Sequence, residues 1–325
     1  MSKKIIFPAF DDLPAVVGQP QGCLWGFFDN DGEKDELGTL NLLTNEIVKK
    51  APEEIQIGKH IQLDWPLNNI EFPGFGRIPC QHNIKDLGPE GFIGHDDELY
   101  INTQTSSQWD GLKHFGLQKD GMYYNGLQHE NATNTGIMGT HKWCDRGGII
   151  GRGILVDWLS WWENSHPGQD PPSAISSHPV PVSEVEEVLK AQRTECRPGD
   201  IFIMRTGFVR WHNAANVATR KLGTYDQHHM IGLANNEETV RWLYSKHFSA
   251  VAGDTMGFEA WPYPKDCCLH EWLLCHWGTP IGELWDLEAL SEECKSQQRW
   301  SFFFSSAPLR VQGGIASPPN ALAVF

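Results

Sequence analysis

Cationic side chains are scarce in this chain: 26 Lys and Arg stand against 41 Asp and Glu, a net charge of −15 over 325 residues. The acids are scattered rather than gathered into a tail. That balance disfavours nucleic acid and anionic membrane as partners, because both need a positive footprint. Long hydrophobic runs are missing as well, and no stretch approaches the roughly 18 apolar residues of a membrane-spanning helix. Near the N-terminus only residues 5–10 are apolar before Asp11 and Asp12, too short a run for a signal peptide. The eight cysteines form no Cys-x-x-Cys pair and are too sparse for a disulfide scaffold. Reduced core thiols and a cytoplasmic location are the expectation. Gly-x-Gly-x-x-Gly, Walker and Gly-x-Ser-x-Gly patterns are all absent, which weighs against nucleotide cofactors and serine-hydrolase chemistry. His270-Glu271 opens like a zincin motif, but Leu274 stands where its second histidine would be.

What is present is ordinary globular material, 40% hydrophobic and 21% charged, enough for one substantial core. Short apolar or alternating runs bracketed by Gly, Pro or Asp predict strands at 61–65, 153–157, 201–206, 249–252 and 300–305. Ser183 and Glu186 form a capping-box pattern ahead of the stripe Val185, Val188 and Leu189. A second helix is predicted after Asn236, with Glu237 and Glu238 in its first turn, and a third over 269–277. The Pro/Gly-rich stretch 166–173 is a surface loop between ordered elements. Strands and helices are interspersed without regular alternation, so a single mixed α/β domain over 1–325 is expected.

Groups able to bind metal or move protons gather in three places. In the first, Gln104, Gln108 and Asp110 recur at even spacing, so an extended backbone would turn all three to one face, with His114 following after Gly111. A carboxylate, two amide oxygens and an imidazole could hold a divalent cation or position a water. The alternative is that Asp110-Gly111 is merely a turn and His114 a surface residue. In the second place, a helix carries His270, and the chain returns through Gly278–Gly282 so that Glu283 can meet it. A lone histidine on an apolar helix is more often packed than ligating. The third place holds Asp29, Asp31, Glu33 and Asp35, which lack the glycine and terminal glutamate of a calcium loop and read as solvated.

Taken in this order, the segments resemble the cyclase family that includes bacterial-type kynurenine formamidase and isatin hydrolase. The resemblance rests on Trp25-Gly, Leu37-Gly-Thr-Leu-Asn-Leu-Leu-Thr44, Ser106-Ser-Gln-Trp-Asp-Gly-Leu-Lys-His114 and Gly151-Arg-Gly-Ile-Leu155. It continues through Pro198-Gly-Asp-Ile201, Arg205-Thr-Gly207, Gly253-Asp-Thr255, His270 and Pro280-Ile-Gly-Glu283. The family's metal motif, His-x-Gly-Thr-His-x-Asp-x-Pro-x-His, falls on Gln104, Gln108, Asp110 and His114, so two histidines have become glutamines. The resemblance implies that Asp110 is the retained carboxylate ligand, His114 the catalytic histidine, and His270 and Glu283 the distal ligands.

It also implies a swivelling-type β/β/α fold, a mixed sheet flanked by helices, in a homodimer or larger assembly. Glutamine is a poorer ligand for Zn²⁺ than imidazole and suits harder ions. A single divalent ion, Mn²⁺, Zn²⁺ or Mg²⁺, on Asp110, His270 and Glu283 with Gln108 and Gln104 nearby is therefore expected, with an ion-free site as the alternative. The function expected is metal-assisted hydrolysis of an amide, lactam, lactone or ester in a small cyclic or aromatic molecule, with His114 as general base and then acid. Trp25, Trp109, Phe115, Tyr124 and His141 are the candidate substrate-pocket residues. Two rivals stand beside this reading. One is a metal-independent cyclase, dehydratase or isomerase using Asp110 and His114, and the other is a non-catalytic small-molecule binder.

Overall fold

The computed structural model describes residues 5–133 and 135–325. Its strands are, in chain order, β1 (His60–Gln62), β2 (Gln81–Asp86), β3 (His95–Tyr100), β4 (Gln108–Asp110), β5 (Ile149–Asp157) and β6 (Pro179–Val180). They continue with β7 (Ile201–Arg205), β8 (Gly232–Leu233), β9 (Ala250–Gly253), β10 (Ile281–Glu283), β11 (Ser301–Ser306), β12 (Ala316–Ser317) and β13 (Ala321–Val324). Among the described residues one large sheet has the order β1-β13-β11-β5-β7-β9-β10-β4-β12, and two-stranded pairs β2-β3 and β6-β8 stand apart from it.

The four central strands β5, β7, β9 and β10 run parallel. Their sequences explain why. Ile154-Leu-Val156, Ile201-Phe-Ile203 and Ala250-Val-Ala252 are unbroken apolar runs, and every one of these side chains is buried. Strands of that kind are covered on both faces, and parallel neighbours must be joined by crossovers long enough to hold helices. The helices Trp158–Ser165 and Val182–Gln192 lie between β5 and β7, and Phe208–Ala214 and Glu237–Lys246 between β7 and β9. Antiparallel strands flank this centre on both sides, β11, β13 and β1 on one edge and β4 and β12 on the other. The architecture is thus a mixed sheet flanked by helices.

The helix after Asn236 starts as expected: the Asn236 side chain accepts from Thr239 N, and Val240, Leu243 and Tyr244 are buried. The capping box at Ser183 does not form. That helix begins at Val182 behind Pro181, with no side-chain cap, while Glu186 is taken by the Trp242 indole and Lys246. A tertiary partner has outcompeted the local one.

The acidic segment is not simply solvated either. Asp31 and Glu33 are exposed, but Asp35 accepts from Gly38 N, Leu37 N, Asn41 and the Tyr124 hydroxyl, and Asp29 accepts from Asp35 N and Asn125. This clasp sets the 3-10 turn Gly38–Leu42 against Gly278. A Cβ on Gly38 would lie 2.0 Å from the Gly278 carbonyl oxygen, which itself accepts from Thr39 N. Both glycines also have positive φ, so the contact admits no side chain on either. It fixes where the chain turns back after the helical segment that begins at His270.

Eight cysteines are free, four of them buried, and among the described residues no helix is long and apolar enough to cross a membrane. The hairpin β2-β3 went unread in the sequence and is unusual in that all twelve of its strand residues are exposed.

Candidate functional site

Sheet register assembles the centre of the site. β10 pairs antiparallel with β4, so that Glu283 lies directly opposite Gln108, and Asp110 sits two residues along on the same face. Gln108 Nε2 donates to Glu283 Oε2 at 2.6 Å. Gln104 lies before the strand, in a turn rather than on its face as the even spacing suggested, yet it reaches the same place. The turn is pinned by Ser107, which accepts from Trp65 N and donates to the Leu284 carbonyl. Gln104 Nε2 donates to Asp110 Oδ1, and Gln104 Oε1 accepts from Gln108 Nε2 at 3.0 Å.

His270 arrives from the other side, at the start of the π-type helical turn Glu271–Trp277. Its Nε2 is 3.2 Å from Glu283 Oε1, off the hydrogen-bond line, and 3.8 Å from Asp110 Oδ2. Its Nδ1 is held at 2.6 Å by both oxygens of Glu259, which also accepts from the His270 backbone N–H at 3.1 Å. Glu259 and Asp110 are wholly buried, and Glu283 and His270 almost so.

Three oxygens in this centre, Gln108 Oε1, Asp110 Oδ2 and Glu283 Oε1, are buried without a hydrogen-bond donor. A buried acceptor without a partner loses its hydration and regains nothing, at about 1–3 kcal/mol each. Ligand atoms of Asp110, His270 and Glu283 lie within 4.8 Å of one another. A divalent cation would satisfy Asp110 Oδ2 and Glu283 Oε1 at once, and a donor set of two carboxylates and one imidazole is chemically suited to it. The carboxylate behind the histidine is the arrangement that fixes the tautomer of a metal-binding imidazole.

Burial and the neighbouring Asp110 charge push the Glu283 carboxyl up to about 7, with His270 and Arg77 opposing. Burial works against protonation of His270, but Glu259 and Glu283 outweigh it and hold that pKa well above the usual range. His114, half-buried at the edge of the centre, is shifted down, first by burial and then by His270 and Arg77, against the pull of Asp110. The shift favours the neutral imidazole.

The family model for the cyclases matches residues 43–260. The chain belongs to the cyclase family. A solved structure described as a novel cyclase is similar over 93% of this chain and 99% of its own, with 27% identity and a TM-score of 0.80. Isatin hydrolase A from Labrenzia aggregata, bound to benzyl benzoate, shares the fold with a TM-score of 0.57 at 14% identity, over 86% of this chain and 97% of its own. An isatin hydrolase bound to the product analogue thioisatinate gives the same identity and TM-score over 85% and 95%. Among curated proteins no sequence matches.

The fold brings some of the sequence-derived candidates together and separates others. Gln104, Gln108, Asp110, His270 and Glu283 meet, and Phe115 joins them with its ring edge-on to His270 at 5.5 Å. Trp109 does not: alternation along β4 turns it to the opposite face, where it packs on Trp285 and donates to Ser306. Tyr124 is buried behind the Asp35 clasp, and Trp25 donates to the Cys275 carbonyl, so both support the helical segment rather than face the centre. His141 accepts from Gly313 N and, among the described residues, hydrogen-bonds to none of the site carboxylates.

Two residues of the site escaped the sequence. Glu259 sits in an apolar stretch with no motif around it. Arg77, in an irregular loop, donates to the Gln104 backbone oxygen at 2.9 Å and to its side-chain oxygen at 3.3 Å.

Proposed function

We propose that this cyclase-family protein is a metal-assisted hydrolase of an amide, lactam, lactone or ester bond in a small cyclic or aromatic molecule. The observation that carries this reading is the pair of buried, donor-less carboxylate oxygens, Asp110 Oδ2 and Glu283 Oε1, facing His270 Nε2. Asp110, Glu283 and His270 would hold the ion, with Gln108 Oε1 as a further oxygen. A divalent cation bound there supplies an acidified water and a polarised carbonyl.

The chain's own residues do the rest. Neutral His114 accepts the proton of the attacking water and returns it to the leaving nitrogen or oxygen. Glu259 holds the His270 ring with Nε2 turned to the carboxylates. Arg77, whose charge bears on both His114 and Glu283, offers positive potential to the oxygen that becomes anionic. Phe115 gives an aromatic substrate an edge to pack on. The free thiols fit a reducing cytoplasm, and the assembly expected is a homodimer or higher homo-oligomer.

A panel of small aromatic lactams, lactones and esters, isatin included, tests the proposal. Manganese-loaded protein should add one water to at least one member, with His114→Gln losing that activity. A panel untouched by loaded wild type would count against hydrolysis.

A second reading has its own support. Gln104 and Gln108 each donate into a carboxylate, partly satisfying Asp110 and Glu283 without an ion. Under that reading Asp110 and His114 perform acid–base cyclisation, dehydration or isomerisation alone, and turnover survives chelation.

A further inference from the structure

Arg77 closes the turn Gly74-Phe-Gly-Arg77, its backbone N–H donating to the Gly74 carbonyl at 3.1 Å. The two central residues, Phe75 and Gly76, both have positive φ, 57° and 68°. Glycine takes that conformation freely, whereas an aromatic residue is held there against its preference. Strain of this kind persists where the surroundings over-determine the backbone. Here they do so from two sides. On one, Thr224 Oγ1 donates to the Phe72 carbonyl at 2.7 Å, and a Cβ on Gly74 would lie 2.7 Å from the Thr224 carbonyl oxygen. On the other, the Arg77 guanidinium, with Cζ 5.1 Å from the centre of the Phe75 ring, reaches across to Gln104.

We propose that Arg77 is a positioning residue for the carboxylate centre, acting through a relay of two glutamine side chains, Gln104 and Gln108. The inference rests on the metal centre of the hydrolase reading and not on the bond that centre cleaves. A guanidinium can only donate, so Gln104 must turn its side-chain oxygen to Arg77 and its amino group away, where Asp110 Oδ1 accepts it. The same Gln104 oxygen accepts from Gln108 Nε2 at 3.0 Å, which commits the Gln108 amino group to that side, and its other hydrogen goes to Glu283 Oε2. Turned over, Gln108 would set its oxygen against two acceptors. It keeps this orientation although its Oε1 is thereby buried without a donor. The relay ties down one oxygen of each carboxylate and leaves the other, Asp110 Oδ2 and Glu283 Oε1, facing His270 Nε2.

Gln104 depends on Arg77 for its place. It lies in the turn before β4, outside the ladder that fixes Gln108 and Asp110, and Arg77 holds both its backbone oxygen and its side-chain oxygen. The sign of the effect separates this role from that of a bare charge. A cation near the centre repels an ion, so deleting Arg77 for its charge alone would tighten metal binding, whereas deleting the anchor of the relay loosens it.

Arg77→Met in the full chain keeps the apolar stem and removes the donors. Thr105 Oγ1 still ties the turn to the Ile78 carbonyl, so the fold is expected to stand, which a melting curve checks. If the variant does not fold, Arg77→Gln takes its place. Calorimetric titration of Mn²⁺ into chelator-stripped protein should show affinity lowered roughly tenfold to hundredfold. Combined with Gln104→Met, the loss should be no greater than Gln104→Met gives alone, because both break the same relay. Metal-free protein labelled with ¹⁵N-glutamine gives a readout that needs neither ion nor substrate. The side-chain amide protons of Gln104 and Gln108 should exchange slowly with solvent in the wild type and rapidly in Arg77→Met. Mn²⁺ affinity that is unchanged or raised in Arg77→Met overturns the inference. So do losses that add in the double variant, or amide protons that stay protected without Arg77. A wild type that takes up no Mn²⁺ counts against the metal centre itself, and the exchange measurement then decides the relay.

Discussion

Glu259→Gln is the substitution that most sharply probes how the site is built. Glu259 touches no candidate substrate position. Its whole carboxylate is spent on His270, both oxygens lying 2.6 Å from Nδ1 and one also accepting the backbone N–H. Glutamine keeps the volume and one acceptor oxygen, so the ring can keep its place, but the charge on the Nδ1 hydrogen bond is lost. A hydrogen bond to a charged group is worth about 1.5–3 kcal/mol net. If that is the strengthening Glu259 gives the imidazole as a ligand, then at about 1.4 kcal/mol per decade metal affinity falls roughly tenfold to hundredfold. Calorimetric titration of Mn²⁺ and Zn²⁺ into chelator-stripped protein reads this directly, beside a melting curve to show that the fold survives. His270→Ala sets the scale for complete loss of the ligand. Should Glu259→Gln bind both ions as tightly as wild type while His270→Ala does not, the role given to Glu259 is wrong.

Asp110→Asn keeps size and removes charge, and is expected to abolish most turnover with an unchanged melting profile; retained turnover would remove Asp110 from the mechanism. Gln104→His with Gln108→His should raise affinity for Zn²⁺ relative to Mn²⁺, because imidazole replaces amide oxygen; competition titration with the two ions checks this, and an unchanged preference would refute it. His276 is a pH prediction. Burial pushes its pKa from 6.5 down to about 4, so between those values the unfolded chain binds a proton that the folded chain refuses. The stability this residue allows is therefore complete above about pH 6.5 and lost as pH falls toward 4, on the order of 3 kcal/mol. Asp200 and Asp254, pushed up to about 6 chiefly by burial, act in the opposite sense over part of this window. The readout is thus the difference between wild type and His276→Gln in urea unfolding at neutral and acid pH. The variant should lose less stability on acidification, and equal losses would refute the assignment.

Much of this structure could be read from local pattern. The central strands were legible because continuous apolar runs between turn residues have few other uses, and Asn236 announced its helix because cap and first turn are adjacent in sequence. The meeting of Gln108, Asp110 and Glu283 was suggested by spacing and by the family resemblance, and the β4–β10 register supplies its physical cause. What failed was whatever depended on the other side of a contact. Trp109 was read as a pocket residue, although strand alternation alone sends it to the opposite face. Ser183 and Glu186 formed a plausible box, but Trp242, 56 residues beyond Glu186, claims the carboxylate. Glu259 lies eleven residues from His270 with nothing between them to signal a pairing, and Asp35 looked solvated because its partners Tyr124 and Asn41 are brought to it only by the fold.

The central claim is that the buried carboxylates and His270 form a metal centre. Elemental analysis of protein purified without chelators or a metal-affinity column tests it most directly, comparing wild type with His270→Ala, Glu283→Gln. The account predicts about one divalent ion per chain in the wild type, Mn, Zn or Mg, and none in the double variant. Wild-type protein that carries no ion, and takes up none when Mn²⁺ or Zn²⁺ is supplied, would contradict it and leave Asp110 and His114 to act alone.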